Sequence, residues 1–367
     1  MMRLPLFRYE APRTVADAAR ILHAEGPSAM LLAGGTDLLP NMKRRQQTPA
    51  VVVGLRQVVG LRDMRWGDGA GGNGKKAPAR GAAAKSSVAL GAGITLAHLV
   101  RDRRLAEAAP ALWQAAAQIA TPHLRAMGTL GGNLCLDTRC NYYDQNYEWR
   151  KAIDFCMKKD GKICWVATSS PKCLAVSSTD TAPALMALGA RVRLVSQDGT
   201  REVALTDLYR NDGIEYLTRH PDEILTEVVL DLGSGWRSTY WKLRRRGAFD
   251  FPVLSVAAAA RFEGTGSKAR IAEARVVIGS VASRPMLAEE TATFLVGRPL
   301  DDETIAEAAT RATSVSKPMD NTDFVLSWRK RVTREFVTYA LRELRGDDQT
   351  ALRRRFTGHN LAFGEVS

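Results

Sequence analysis

Outside residues 135–173 this chain has no cysteine, and that window holds all five of its cysteines within a length of 367 residues. Random scatter would almost never confine them so tightly, and a disulfide network spread through the fold is excluded. No apolar run nears the roughly 18 residues needed to span a bilayer; the stretch at 253–260 falls well short. Residues 1–10 (MMRLPLFRYE) have neither an apolar core nor a small-residue cleavage site, so a cytoplasmic protein with no membrane association is expected. The histidines at 23, 98, 123, 220 and 359 show no metal-ligand spacing, and no G-x-G-x-x-G signals a Rossmann nucleotide site. Basic residues outnumber acidic ones 52 to 39, but the excess is diffuse, with triplets only at 43–45, 244–246 and 353–355. With no RNA-recognition signature and no helix-turn-helix spacing, nucleic acid is not an expected partner.

What is present describes a globular chain, 45% hydrophobic and 25% charged, too long for one compact core. Thr14 caps a helix through Val15, Ala19, Ile21 and Leu22 that stops at Gly26. Short buried strands follow at 29–33 and 51–55, with a third at 88–91 leading into a helix capped by Thr95. Residues 67–87 are rich in Gly, Ala and Lys and read as a surface loop. One Ala-rich helix is expected over 105–120, another over 180–188, and a hairpin over 191–205 turning at Gln197-Asp198-Gly199. Strand-like runs at 224–232, 238–245, 253–262 and 274–278 precede two helices near 302–313 and 322–344. That order suggests a separate α+β domain beginning near 230, and the polar last twenty residues read as a tail.

Two glycine turns stand out. Gly34-Gly35-Thr36-Asp37 follows a buried strand, and Thr129-Leu130-Gly131-Gly132-Asn133 repeats the chemistry about a hundred residues later. Glycine lets a backbone approach a phosphate closely, and free N–H groups in such a turn form an anion nest. Asp180 and Lys242 are further polar candidates; a helix N-cap and an exposed strand lysine are their plainer readings.

The segments LLAGGTDLL (31–39), TLGGN (129–133), STDTAPALMALGA (178–190) and YWKLRRRGAFDF (240–251) resemble the FAD-binding subunits of molybdenum hydroxylases. This is the xanthine dehydrogenase and carbon monoxide dehydrogenase flavoprotein family, and the resemblance runs from about residue 5 to 345. It implies an α+β fold: a two-part FAD-binding domain of the vanillyl-alcohol oxidase (PCMH) type, then a small C-terminal α+β domain. The expected divisions are 1–59, 60–228, 229–345 and a tail at 346–367. The resemblance implies that the FAD pyrophosphate lies against Leu31, Leu32, Ala33, Gly34, Gly35, Thr36, Asp37 and Leu38 and against Thr129, Leu130, Gly131, Gly132 and Asn133. It implies further that Asp180 binds the ribityl or adenosine side, that Lys242 lies near the flavin, and that Ile119 and Leu225 pack on it. Aspartate after Gly-Gly-Thr departs from the Gln-Ser or His-Ser common in the family, which leaves the Asp37 side chain without an assigned role.

Asn133 and Asp180 stand 47 residues apart, because an insertion at about 134–176 separates them. By softness its thiolates suit iron–sulfur or zinc equally, and unliganded buried cysteines are a third reading. The nearest approach to a zinc knuckle is the single Cys135-x4-Cys140 pair. The insertion resembles that of 4-hydroxybenzoyl-CoA reductase flavoprotein subunits, which implies a [4Fe–4S] cluster on Cys140, Cys156, Cys164 and Cys173, with Cys135 left as a core thiol. Tyr142, Tyr143, Tyr147, Trp149, Phe155 and Trp165 read as the small core of this excursion, or as a hydrophobic shell that shields a cluster. Lys158, Lys159, Lys162 and Lys172 are candidate attractors of an acidic ferredoxin.

The resemblance thus implies an electron-relay subunit with no catalytic residue of its own. Its partners would be a molybdopterin-binding large subunit and a [2Fe–2S] small subunit in a dimer of heterotrimers. Reduced ferredoxin would be the donor and dehydroxylation of 4-hydroxybenzoyl-CoA the reaction. A molybdenum hydroxylase for another aromatic or N-heterocycle, and a basic zinc-stabilised binding protein, are the alternatives.

Overall fold

The computed structural model describes residues 3–67, 86–247, 249–266, 269–358 and 361. The first unit is a three-stranded parallel sheet in the order β1-β3-β2, from β1 (Arg8–Glu10), β2 (Ala29–Leu32) and β3 (Val51–Gly54). Helix α1 (Val15–Glu25) lays Ala18, Ala19 and Leu22 on Val51 and Val53 of that sheet. Its start is fixed by Thr14, whose hydroxyl accepts from the Asp17 amide at 3.0 Å, and its end by Gly26 at φ 55°. A short helix, α2 (Leu38–Lys43), follows the first glycine turn.

The second unit is a five-stranded antiparallel sheet. Its first strands are β4 (Met64–Trp66) and β5 (Ser86–Gly91); most of the expected surface loop between them, residues 68–85, lies outside the described residues. After β5 come α3 (Leu96–Arg101), α4 (Arg103–Ala108), α5 (Pro110–Ala117), α6 (Pro122–Met127), α7 (Leu130–Leu134), α8 (Tyr147–Ala152) and α9 (Thr181–Ala187). The chain re-enters the sheet as β6 (Arg191–Val195), β7 (Thr200–Ala204) and β8 (Ile224–Leu232), in the order β4-β5-β8-β6-β7. The helix expected over 105–120 is therefore two helices. Pro110 has no N–H to extend α4, so it opens α5 instead, and α5 stops before Ala120 at φ 47°.

The third unit is a four-stranded antiparallel sheet, β12-β11-β10-β9, from β9 (Trp236–Leu243), β10 (Leu254–Glu263), β11 (Arg270–Gly279) and β12 (Met286–Leu287). Helices α10 (Glu289–Leu295), α11 (Asp302–Ala312) and α12 (Leu326–Arg345) cover one face. Along β10 the pleat sends Ala257 and Ala259 toward the flanking FAD-domain helices and Val256, Ala258 and Ala260 toward α11 and α12. Both faces are buried, which is why the strand reads as a continuous apolar run.

Two expected boundaries move. A division at 228/229 falls inside β8, which pairs along its length with β5 and β6 and so belongs wholly to the second unit. Nor do residues 346–367 begin as a tail: Thr350–Thr357 form a helix, α13. Its Arg353 is buried, donating to Glu343 Oε1 at 3.0 Å and to the Tyr240 carbonyl at 3.2 Å, with its guanidinium 4.1 Å from the Trp241 ring centre. In the 244–246 triplet Arg245 pairs with Asp323 at 3.0 Å and Arg246 with Asp250 at 2.6 Å, whereas Lys43 and Arg45 are exposed.

Candidate functional site: a flavin cavity and a four-cysteine centre

Strand β2 carries the chain into the first glycine turn, which packs against the approach to the second. A Cβ on Gly34 would lie 2.1 Å from the Met127 carbonyl oxygen, and Gly35 sits at φ 74°. A Cβ on Gly132 would meet Thr129 Oγ1 at 2.9 Å and Ala33 Cβ at 3.9 Å. Gly34 is thus needed for contact with the segment that leads into the second turn, and Gly132 for closure of that turn on its own Thr129 cap. The nest belongs to the first turn alone: among the described residues, the amides of Gly34, Gly35, Thr36 and Asp37 donate to no protein acceptor. In the second turn the amides of Leu130, Gly131, Gly132 and Asn133 are taken by Ile94 O, Ala92 O, Thr129 Oγ1 and Thr129 O. The expectation of two equivalent free nests is corrected accordingly; α7 folds back on its own cap.

The turns open on a cavity of about 880 Å³. Leu31, Ala33, Gly34, Gly35, Thr36, Asp37, Leu38, Ile119, Thr129, Gly131, Gly132, Asn133, Asp180 and Leu225 line it. Leu32 packs with Leu38, Met42 and Val52, and Leu130 is wholly buried in the main core, so neither faces the cavity. Asn133 Oδ1 accepts from the Thr179 hydroxyl at 2.9 Å and from the Thr181 amide at 3.0 Å, which joins the second turn to the start of α9.

Asp180 occupies the cap position of α9 but makes no capping bond. Its carboxylate takes the Tyr240 hydroxyl at 2.6 Å and Lys242 Nζ at 3.0 Å. Lys242 is no exposed strand lysine: it is buried behind Asp180, outside the cavity wall, and also donates to the Gln118 carbonyl at 3.1 Å. Burial pushes the Asp180 carboxyl up and the Lys242 ammonium down, while their mutual attraction opposes both shifts.

Several cavity residues carried no sequence signal. Arg139 reaches back from the insertion to Asp37, and also donates to Asp144 at 3.0 Å and to Asn41 at 3.3 Å. This gives the Asp37 side chain a partner and explains an aspartate at that position. Asp137, Tyr216, Phe249 and Phe251 also line the cavity. Only their neighbours in sequence, not their own types, hinted at it.

Beyond this wall the insertion forms a second centre. Cys140, Cys156, Cys164 and Cys173 are all buried and line one small enclosed cavity with Tyr142, Tyr143 and Trp165. Cys135 lines the larger cavity instead. Tyr147 and Trp149 are substantially exposed, so the expected aromatic core is smaller than the sequence suggests. Burial pushes the thiols of Cys140 up to about 12 and of Cys173 up to about 11, so binding a metal here displaces protons. Ligands around one tetrahedral zinc lie about 3.8 Å apart, from a Zn–S bond of about 2.3 Å. Among the described residues only His23, Asp198 and Asp222 bring three donor atoms within 4.8 Å of one another. No three of the four cysteine sulfurs come within that range of one another.

The expected basic docking face is partly dismantled. The Lys158 side chain is largely covered and pairs with Asp137 at 2.8 Å; Lys159 pairs with Asp160 at 3.4 Å; Lys172 donates to the Asn211 carbonyl at 2.6 Å. Lys162 is exposed. No helix among the described residues is long and apolar enough to cross a membrane.

A nest of free amides beside a cavity lined by apolar, acidic and basic side chains suits the pyrophosphate and rings of a dinucleotide. Residues 5–230 match the model of the FAD binding domain in molybdopterin dehydrogenase, and residues 238–344 match the CO dehydrogenase flavoprotein C-terminal domain. The chain belongs to this family of FAD-binding oxidoreductase subunits. It is 29% identical to the carbon monoxide dehydrogenase medium chain of Afipia carboxidovorans, over 85% of this chain and 87% of that one. It is 30% identical to the aldehyde oxidoreductase FAD-binding subunit PaoB of Escherichia coli, over 76% and 82%. A chain of reconstituted CO dehydrogenase from Oligotropha carboxidovorans superposes with a TM-score of 0.72 at 25% identity, covering 95% of this chain and 100% of that one. The two-part FAD-binding domain and the appended C-terminal domain share that fold.

Proposed function

We propose that the chain is the FAD- and [4Fe–4S]-carrying relay subunit of a molybdenum enzyme, assembled with a molybdopterin-binding large subunit and a [2Fe–2S] small subunit as a dimer of heterotrimers. The observation that carries the cluster is the convergence of Cys140, Cys156, Cys164 and Cys173 on one buried cavity beside the flavin cavity. When bound, the flavin supplies exchange between paired and single electrons, and the cluster supplies single-electron exchange.

The residues of this chain hold and insulate those groups. The free amides at Gly34–Asp37 and the Thr36 hydroxyl hold the pyrophosphate. Ile119 and Leu225 offer apolar walls to the ring, and Asp180, oriented by Tyr240 and Lys242, accepts hydroxyl groups of the ribityl or adenosine side. Reduced ferredoxin is the donor, and reductive dehydroxylation of 4-hydroxybenzoyl-CoA is the overall reaction; this rests on the likeness of the insertion. An anaerobic absorbance spectrum of the complex, with iron, sulfide, zinc and flavin counted on one sample, tests the reading. About four irons per cluster-bearing chain and one FAD are expected. Flavin without iron removes the relay, and zinc in its place makes the centre structural.

The names of the relatives, a carbon monoxide dehydrogenase and an aldehyde oxidoreductase, favour a second reading in which the complex oxidises its substrate and electrons leave through this subunit. Turnover of the complex with reduced ferredoxin and 4-hydroxybenzoyl-CoA separates the two.

A further inference from the structure

The two cavities share a wall, and one cation stands inside it. Lys158 Nζ donates to Asp137 Oδ1 at 2.8 Å, Thr138 Oγ1 at 2.7 Å and the Gly213 carbonyl at 2.6 Å. Three acceptors use all three ammonium hydrogens. The same nitrogen lies 4.9 Å from the Tyr143 ring centre and 5.5 Å from that of Tyr216. Tyr143 faces the cysteines, whereas Tyr216 and Asp137 face the flavin cavity.

The packing holds this charge in place. Asp137 Oδ2 also accepts from the Tyr143 hydroxyl at 3.0 Å and from Gln47 Nε2 at 3.2 Å. A Cβ on Gly213 would lie 2.7 Å from Cys173 Sγ, so the segment that supplies the third acceptor is pressed against a candidate ligand. Lys158 itself lines the cysteine cavity, with a side chain only 6% exposed.

We propose that Lys158, fixed by Asp137 in the wall between the cavities, is a positioning residue whose charge sets how readily the four-cysteine centre accepts an electron. This rests on the cluster reading above. A group held by four thiolates carries excess negative charge, and each added electron deepens it. A fixed cation whose side chain is largely shielded from solvent stabilises the reduced state more than a surface cation does. Asp137 restrains that effect from the flavin side by partly neutralising the ammonium. A purely structural role for Lys158 would affect folding and iron retention without moving the potential in opposite directions for the two partners.

The test is an EPR-monitored redox titration of the assembled complex, with iron and flavin counted in each sample. Lys158→Met is expected to shift the four-cysteine centre to more negative potential and Asp137→Asn to more positive potential. Lys162→Gln, which removes the same charge from an exposed position, is expected to leave it unmoved. Four irons with a potential unmoved by both wall variants, or moved equally by Lys162→Gln, overturns the proposal. Where Lys158→Met fails to retain iron, the sign of the Asp137→Asn shift decides. A wild-type complex without iron instead overturns the cluster reading, so the two failures are distinguishable.

Discussion

Replacing Lys242 by methionine removes the cation beneath the flavin cavity while keeping nearly all of the side chain's volume. In the native fold Lys242 and Asp180 are each 2% exposed, and Lys242 Nζ sits 3.0 Å from Asp180 Oδ1 and 3.1 Å from the Gln118 carbonyl. The variant leaves a buried carboxylate with only the Tyr240 hydroxyl, 2.6 Å away, as partner. Breaking one side of such a pair costs about 3–5 kcal/mol, because an uncompensated charge stays in low dielectric. At about 1.4 kcal/mol per decade, this is a shift of about two to three and a half decades in the unfolding equilibrium.

The assay is denaturant unfolding of flavin-free and flavin-loaded protein, since bound FAD adds its own stabilisation by mass action. Lys242→Met/Asp180→Asn supplies the control: with both charges gone, the cost should fall to about 1–2 kcal/mol, giving a coupling of about 2 kcal/mol or more. The argument fails if Lys242→Met alone costs less than about 1 kcal/mol, or if the double variant costs the sum of the singles. Asp180→Asn should also weaken FAD retention, because Asp180 lines the cavity and Lys242 does not.

Gly34→Ala should separate the two glycine turns, since the new methyl would lie 2.1 Å from a backbone oxygen that cannot swing aside. A cost of about 1–3 kcal/mol and loss of copurifying FAD are expected, and an unchanged flavin-to-protein ratio would refute the contact. Arg353→Ala should cost about 3 kcal/mol through its lost bonds to Glu343 and Tyr240, and should alter the fluorescence of Trp241 beneath it. Chemical denaturation checks the cost, and comparison of the emission change with that in a Trp241→Phe background, where it should be absent, checks the contact. Hydrogen bonds from Arg345 hold the Asp347 carboxyl below the usual range. A depressed folded-state value stabilises above the unfolded pKa of about 3.9 and loses that benefit as pH falls through the lower folded value. Asp347→Asn should therefore cost about 0.5 kcal/mol at neutral pH and nothing once pH is below both values. A penalty constant across that range in stability-versus-pH curves would remove the linkage.

How much of this was legible in the sequence depends on how far each determinant reaches. Helix α1 and strand β10 were readable because a cap or an apolar run is local: Thr14 bonds an amide three residues on, and both pleat faces of β10 are apolar. Helix α13 was misread because its stabilising residue is charged. Arg353 looks solvated in sequence, and only the arrival of β9 and the end of α12 supplies its acceptors and the Trp241 face. The glycine turns were visible, but half of their purpose was not. A glycine selected for approach to a phosphate and one selected for approach to another backbone leave the same letter, and only the 2.1 Å to Met127 distinguishes them at Gly34. Asp37 makes the point at longest range. Its partner Arg139 lies 102 residues away in an insertion with a different local purpose. The substitution and the insertion are best understood together: an excursion of about forty residues next to a cofactor needs an anchor at its base, and a carboxylate in the first glycine turn provides it.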